Sequence, residues 1–286
     1  MGDLLALLAE PFAYEYMVKA MVLSSVVGGV CAFLSAYLML KGWSLIGDAL
    51  SHAVVPGVAI AYALGLPYAM GAFFSGILAS LAILWVKSLT KLREDAIIGF
   101  IFTTFFALGL FIISINPTAV NVQEILFGNI LGISDADMIQ VGIVMAVALL
   151  FLLAFWKDLL LVFFDEIHAK SVGLSPKFYQ VIFFSLLSAC VVSALQTVGA
   201  ILVIAMVITP GATAYQLTDR FRPLILIAGL IGVTTSGLGV YLSYFLDGAT
   251  GGVIVCLQTV LFILAFLFSP KFGILMHKKE KQAMTQ

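Results

Sequence analysis

Residues 138–156 read MIQVGIVMAVALLFLLAFW, without one acidic or basic side chain. As an α-helix rising about 1.5 Å per residue, such a run matches the roughly 30 Å hydrocarbon layer of a bilayer. Its apolar residues are continuous. A strand of a transmembrane barrel would alternate apolar with polar positions, so a barrel is excluded.

Comparable runs occur at 17–40, 48–64, 67–86, 96–115, 178–195, 198–217, 223–245 and 252–269. Together they predict an all-α polytopic membrane helix bundle of about nine spans. Of these, 48–64 is the shortest and least hydrophobic. The 286-residue composition agrees: 63% is hydrophobic and 10% charged, against about 25% charged in soluble domains. The mean hydropathy is +1.17. A soluble core of this size could not hide that much apolar surface, and a disordered chain would not carry it. A net charge of −1 without a basic patch excludes nucleic acid as a partner. Cys31, Cys190 and Cys256 lie singly in apolar runs and form no CxxC pair, so they read as small buried hydrophobes. Met1–Glu10 has Asp3 and Glu10 but no basic residue, and Pro11 follows, unlike a cleavable signal. Residues 1–16 are therefore an expected extracytoplasmic lead-in, 17–270 the membrane domain, and 271–286 a cytoplasmic tail.

Cytoplasmic loops are enriched in Lys and Arg. With the N-terminus outside and nine crossings, all of the 14 basic residues except Lys19 fall on the cytoplasmic side. The opposite orientation exposes nearly all of them. The outer loops are 116–137, which holds Glu124, Asp135 and Asp137 but no Lys or Arg, and 246–252, with Asp247 alone charged. Attraction of cations and simple adherence to the positive-inside rule account for this equally well.

Ionisable groups inside a span are costly, roughly 2.5–3.5 kcal/mol for an Asp at mid-membrane, and tend to be functional. Residues 47–57, GDALSHAVVPG, carry Asp48, Ser51 and His52. Asp48 and His52 are four apart, one turn along a single helical face. A structural hydrogen bond, a proton site and a metal site all fit this pair. Pro56 follows one turn later and removes a helical N–H, which predicts a kink; a freed His52 carbonyl facing a polar cavity and ordinary kink packing fit it equally well. Carboxylate oxygen with imidazole nitrogen suits Mn²⁺, Fe²⁺ or Zn²⁺ and lacks the thiolate favoured by Cu⁺. Two ligands are too few for a tight site. A two-fold dimer would supply four, an open and weak set of the kind a transport pathway needs. His168 and His277, the other histidines, fall in cytoplasmic segments and read as solvated.

FFDEIHAKSVGLSPKF at 163–178 differs from the other connectors. Asp165, Glu166 and Lys170 are charged, Ala169, Val172 and Leu174 are small or apolar, and Gly173 and Pro176 are stop signals. The segment 164–177 reads as a short helix at the membrane face, either a partner's docking site or a plain amphipathic connector. Gln196 and Thr197 are expected to form a tight turn. Thr209, Pro210 and Gly211 are expected to break or kink the seventh span, as helices lining cavities do. Glycines at 28, 29, 229, 232, 237 and 239 would allow close packing. The dipeptide Gly-Lys never occurs, so no phosphate-binding loop is present and ATP hydrolysis belongs to another polypeptide. HExxH and GxSxG are also missing, and the spans lack the paired charges of a proton-driven pump.

LKGWSLIGDALSHAVVPGVAIAY at 40–62, with REDAIIGFIF at 93–102, NVQEILFGNIL at 121–131, FFDEIHAKSVGL at 163–174 and VITPGATA at 207–214, resembles the permease subunits of bacterial manganese/zinc/iron-uptake ABC transporters. The resemblance covers nearly the whole chain. It implies a multi-pass permease of the bacterial inner membrane that pairs as a homodimer or paralogous heterodimer. It also implies two cytoplasmic ABC ATPases and an extracytoplasmic metal-binding lipoprotein or periplasmic protein as partners. Asp48 and His52 match the family's intramembrane metal pair. Asp165, Glu166, Ala169 and Gly173 fall in its coupling helix. Asp247-Gly-Ala-Thr-Gly-Gly replaces a Pro-rich motif of many relatives and looks like the enterobacterial manganese/chelated-iron branch. The expectation is thus a transport subunit, not an enzyme, that imports Mn²⁺ with Fe²⁺ second and holds no permanent cofactor. Ser51, Pro56, Glu124, Thr209 and Pro210 are candidates for the pathway or its gates. The rivals are a zinc permease of the same architecture and a metal-dependent membrane enzyme or sensor.

Overall fold

A computed structural model of the protein describes residues 7–43, 45–115 and 132–269, and all regular structure among them is helical. After a 3-10 turn at Glu10–Ala13 come α1 (Glu15–Lys41), α2 (Ile46–Ala53), α3 (Val55–Ala63), α4 (Tyr68–Leu89) and α5 (Glu94–Ile115). Beyond residue 131 follow α6 (Asp135–Phe164), α7 (Glu166–Ser171), α8 (Pro176–Val198), α9 (Ala200–Leu217), α10 (Phe221–Leu246) and α11 (Thr250–Phe268). Among the described residues, eight segments are long and apolar enough to cross a membrane, with α2 and α3 together forming one. The expected span 198–217 corresponds to α9, whose apolar stretch Leu202–Leu217 is shorter. α6 outruns the expected 138–156: its 30 residues reach about 45 Å, and it bends at Phe155, where φ is −108° and ψ 17°.

The chain forms two compact units: residues 1–39, 129–142 and 205–286, and residues 40–128 and 143–204. In the first, α1 and α10 meet at Gly28 and Gly232, where a Cβ on either would strike the other's carbonyl oxygen. Gly29, Gly237 and Gly239 also face close neighbours, whereas Gly229 faces open space. α9 runs unbroken through Thr209, Pro210 and Gly211, so of the expected break or kink the break does not occur. Ser35 of α1 supplies the reason. Its Oγ donates to the Ile208 carbonyl at 3.1 Å and accepts the Gly211 N–H at 3.1 Å, so the backbone groups flanking the proline keep partners. Lys19, near the start of α1, pairs with Glu15 at 2.8 Å and with Asp135, at the start of α6, at 2.6 Å.

The second unit contains the expected kink. The span 46–63 divides at Val54, two residues before Pro56. The His52 carbonyl is not left free: it takes the Val54 N–H, and Ser75 of α4 donates to the Ala53 carbonyl at 2.7 Å. Just beyond the break α3 and α4 cross at Gly57 and Gly71, where a Cβ on either residue would land on the other's carbonyl oxygen. Residues 196–197 form no turn but continue the last turn of α8; Gly199 alone, at φ 81°, makes the connection to α9.

Gly57→Ala is expected to force α3 from α4 and to destabilise the permease by about 1–3 kcal/mol, the usual cost of overpacking. Gly229→Ala, which meets no neighbour, is expected to leave stability unchanged or slightly raised. Thermal unfolding of the two detergent-purified variants checks this, and equal midpoints would contradict the crossing.

Candidate metal-translocation site

α2 is two turns long and projects Asp48 and His52 from one face, as their spacing requires. Asp48 Oδ1 lies 3.4 Å from His52 Nε2. Their side chains remain 41% and 28% exposed, so both donors are reachable from outside the unit. The rest of α2 is sealed: Ile46, Ala49, Leu50 and Ala53 are all buried. The helix therefore packs with its apolar face and leaves its polar stripe open.

Two rings of α5 set the imidazole. Phe102 and Phe106 lie 5.3 and 5.4 Å from the His52 ring, centroid to centroid, with Phe106 edge-on. Asp48 lines a cleft of about 440 Å³ with Leu45, Ala49, Ile98, Gly99, Phe102 and Thr103. The α5 residues on this cleft belong to the 93–102 stretch and the position after it, which is the signal that sequence reading quoted without assigning to the site. Among the described residues no group of three or more His, Cys, Asp or Glu side chains forms. Asp48 and His52 therefore stand as a two-donor set, a carboxylate oxygen and an imidazole nitrogen beside a cleft.

The remaining pathway candidates sit differently. Ser51 is buried and spends its hydroxyl on the Gly47 carbonyl at 2.9 Å, within its own helix. Pro56 is buried and lines a separate apolar cleft of about 580 Å³ with Gly57, Ala61, Gly71 and Ser75. Pro210 is buried and Thr209 half-buried on α9, both in the first unit, while Asp48 and His52 are in the second. Glu124 lies outside the described residues, as do His277 and the 271–286 tail.

The segment 164–177 contains a real but minimal helix. Asp165 is the N-cap: its Oδ1 accepts the Ile167 and His168 N–H groups, each at 2.9 Å. Those bonds, that to His168 foremost, hold its carboxyl below the usual carboxylate range. The cap's contribution is thus complete above the ordinary carboxylate range and is lost as pH falls through the lowered value. At the other end Gly173, at φ 88°, closes the helix. Its N–H bonds the Lys170 carbonyl and the Leu174 N–H bonds the Ala169 carbonyl. Ala169 is fully buried rather than offered to a partner, while Ile167 is 82% exposed and Val172 56%. Val172, named from the sequence, faces outward, and so does the still more exposed Ile167, which the sequence reading passed over.

Glu166 points inward. It accepts from Lys41 Nζ at 3.0 Å and Gln180 Nε2 at 2.9 Å, with Lys87 Nζ at 3.9 Å. Burial pushes its carboxyl up, but the bond and charge of Lys41, then Lys87 and Gln180, outweigh that and leave it below its usual range.

With this geometry in place, the comparisons are unambiguous. The model of the ABC 3 transport family matches residues 13–269, and the chain belongs to that family. It is a multi-span permease subunit of the bacterial inner membrane, not an enzyme. The chelated iron transport system membrane protein YfeC of Yersinia pestis is 68% identical over 272 residues, covering 95% of this chain and 92% of the relative. The manganese transport system membrane protein MntB of Synechocystis is 49% identical over 276 residues, covering 96% and 90%. Among solved structures, PsaBC from Streptococcus pneumoniae in complex with Fab matches with a TM-score of 0.83 and 36% identity, covering 96% of this chain and 99% of that one.

Replacing Asp165 with Ala is expected to speed hydrogen exchange at the Ile167 and His168 amides about five-fold, the consequence of losing a cap that contributes about 1 kcal/mol. Asp165→Asn, which keeps a side-chain acceptor, is expected to change them little. Unaltered exchange in the alanine variant would show that α7 does not depend on this cap.

Proposed function

We propose that this chain is the permease of an ATP-driven importer that carries Mn²⁺, and Fe²⁺ as a second substrate, into the cytoplasm. The observation that carries the reading is the partly exposed Asp48–His52 pair, whose carboxylate lines a cleft. Oxygen and nitrogen donors of this kind suit Mn²⁺ and Fe²⁺, and the names of the relatives, chelated iron and manganese, point the same way. A second permease copy, identical or paralogous, contributes another Asp–His pair. The four ligands replace part of the ion's hydration shell and still release it.

The remaining parts follow from charge and exposure. Lys41, Lys87, Glu94 and Glu166 converge at one end of the second unit, and the positive-inside rule makes that end cytoplasmic, with the N-terminus outside. α7 docks on one of two cytoplasmic ATPases, with Ile167 as its apolar contact. An extracytoplasmic binding protein delivers the ion to the opposite side.

Uptake of radioactive manganese in cells carrying the permease, ATPase and binding protein tests this. Wild type is expected to accumulate the ion, with Fe²⁺ competing more strongly than Zn²⁺. Asp48→Ala and His52→Ala, inserted at normal levels, are each expected to lose at least about ten-fold, the factor equivalent to one charge-assisted ligand interaction. Normal uptake by either variant would overturn the site, and uptake of zinc in preference to manganese would overturn the substrate.

A further inference from the structure

Trp43 is 3% exposed and stands three residues before α2, whose first N–H, that of Ile46, bonds the Trp43 carbonyl at 3.3 Å. Its indole stacks on Phe184 of α8 at 5.2 Å and meets Phe163, at the end of α6, edge-on at 5.6 Å. Two ammonium groups face the ring: Lys87 Nζ at 4.8 Å from the centroid and Lys41 Nζ at 5.8 Å. These are the lysines that Glu166 of α7 holds, and Lys87 also reaches Glu94 at the start of α5 at 2.8 Å. One carboxylate on the docking helix therefore accepts a hydrogen bond from Lys41 and ion-pairs with Lys87, the cations that clamp the residue leading into the ion-bearing helix. A charge-assisted hydrogen bond is about twice as strong as a neutral one, and cation–π contacts of the two part-buried ammonium groups add to it.

We propose that Glu166 is a positioning residue that couples α7 to the ion site from within the permease. It acts through Lys41 and Lys87 on Trp43, and so on the orientation of Asp48 and His52, and it makes no contact with the ATPase. This rests on the reading of α7 as the ATPase's docking helix and of Asp48–His52 as the ion site. Movement of α7 pulls Glu166, the two lysines follow, and Trp43 turns the start of α2. Lys87, paired with Glu94, carries the displacement to α5, whose Phe102 and Phe106 flank His52.

The test is a double-mutant cycle on the whole transporter in proteoliposomes, read as manganese ions moved per ATP hydrolysed. Glu166→Ala is expected to lower that ratio about ten-fold, the factor for one charge-assisted hydrogen bond, with the ATPase still bound. Lys41→Ala is expected to lower it by a similar factor, and the double variant to lose no more than either single one, because both remove the same link. Multiplicative losses, a wild-type ratio in Glu166→Ala, or loss of ATPase binding on that substitution would each overturn the proposal. Should Glu166→Ala not assemble, Glu166→Gln serves in its place; it keeps the side chain's shape and an acceptor but loses the charge. Two controls separate this inference from its basis. Normal transport by Asp48→Ala would refute the ion site, and undiminished ATPase binding by Ile167→Asp would refute the docking helix. If both controls fail to function while the cycle is multiplicative, the internal link alone is wrong.

Discussion

The bilayer offers no water to a carboxylate, an imidazole or a broken helix, and every unusual feature of this permease answers to that constraint. Asp48 and His52 are affordable only where they do not face lipid. α2 meets the condition by turning Ile46, Ala49, Leu50 and Ala53 into the protein, with Asp48 on a cleft shared with α5 and His52 against Phe102 and Phe106 of α5. A seal around Asp48 would have required a permanent counter-charge. The open arrangement leaves both side chains partly exposed.

The same constraint governs the two prolines. Pro56 deprives the His52 carbonyl of its helical donor, and Pro210 does so for the carbonyl of Met206. Each site is braced by a serine from a neighbouring helix: Ser75 donates to Ala53, and Ser35 bridges Ile208 and Gly211. The outcomes differ. At Val54 the span divides into two helices, whereas α9 continues through Pro210. Both serines sit where small residues already bring the helices close, and the close approach puts a hydroxyl within reach of a backbone group.

Most of the fold was legible in the sequence because a span announces itself by length and hydropathy alone. The break near Pro56 was legible as well, since a proline acts on a known carbonyl. The unbroken course of α9 was not: Ser35 lies more than 170 positions from Pro210, and no local pattern predicts their meeting. In the 164–177 segment Gly173 was readable as a stop from residue type and closes the helix, whereas Asp165 read only as a charge and its place as the N-cap emerges from the structure. Facing was not readable in a six-residue helix. Ala169 turns inward, Ile167 outward, and Glu166 toward Lys41 and Gln180. The Asp48–His52 spacing gave their common face, but the aromatic wall of Phe102 and Phe106 depends on how α5 packs, which spacing does not encode.

The account's central claim is that this chain holds its ion with a carboxylate and an imidazole from α2. Pulsed electron paramagnetic resonance on the purified permease at saturating Mn²⁺ addresses it directly, because a coordinated imidazole imprints ¹⁴N modulation on the manganese echo. The account predicts such modulation in the wild type, its loss in His52→Ala, and its retention in His168→Ala and His277→Ala. Modulation that survives His52→Ala, or none in the wild type, would contradict it.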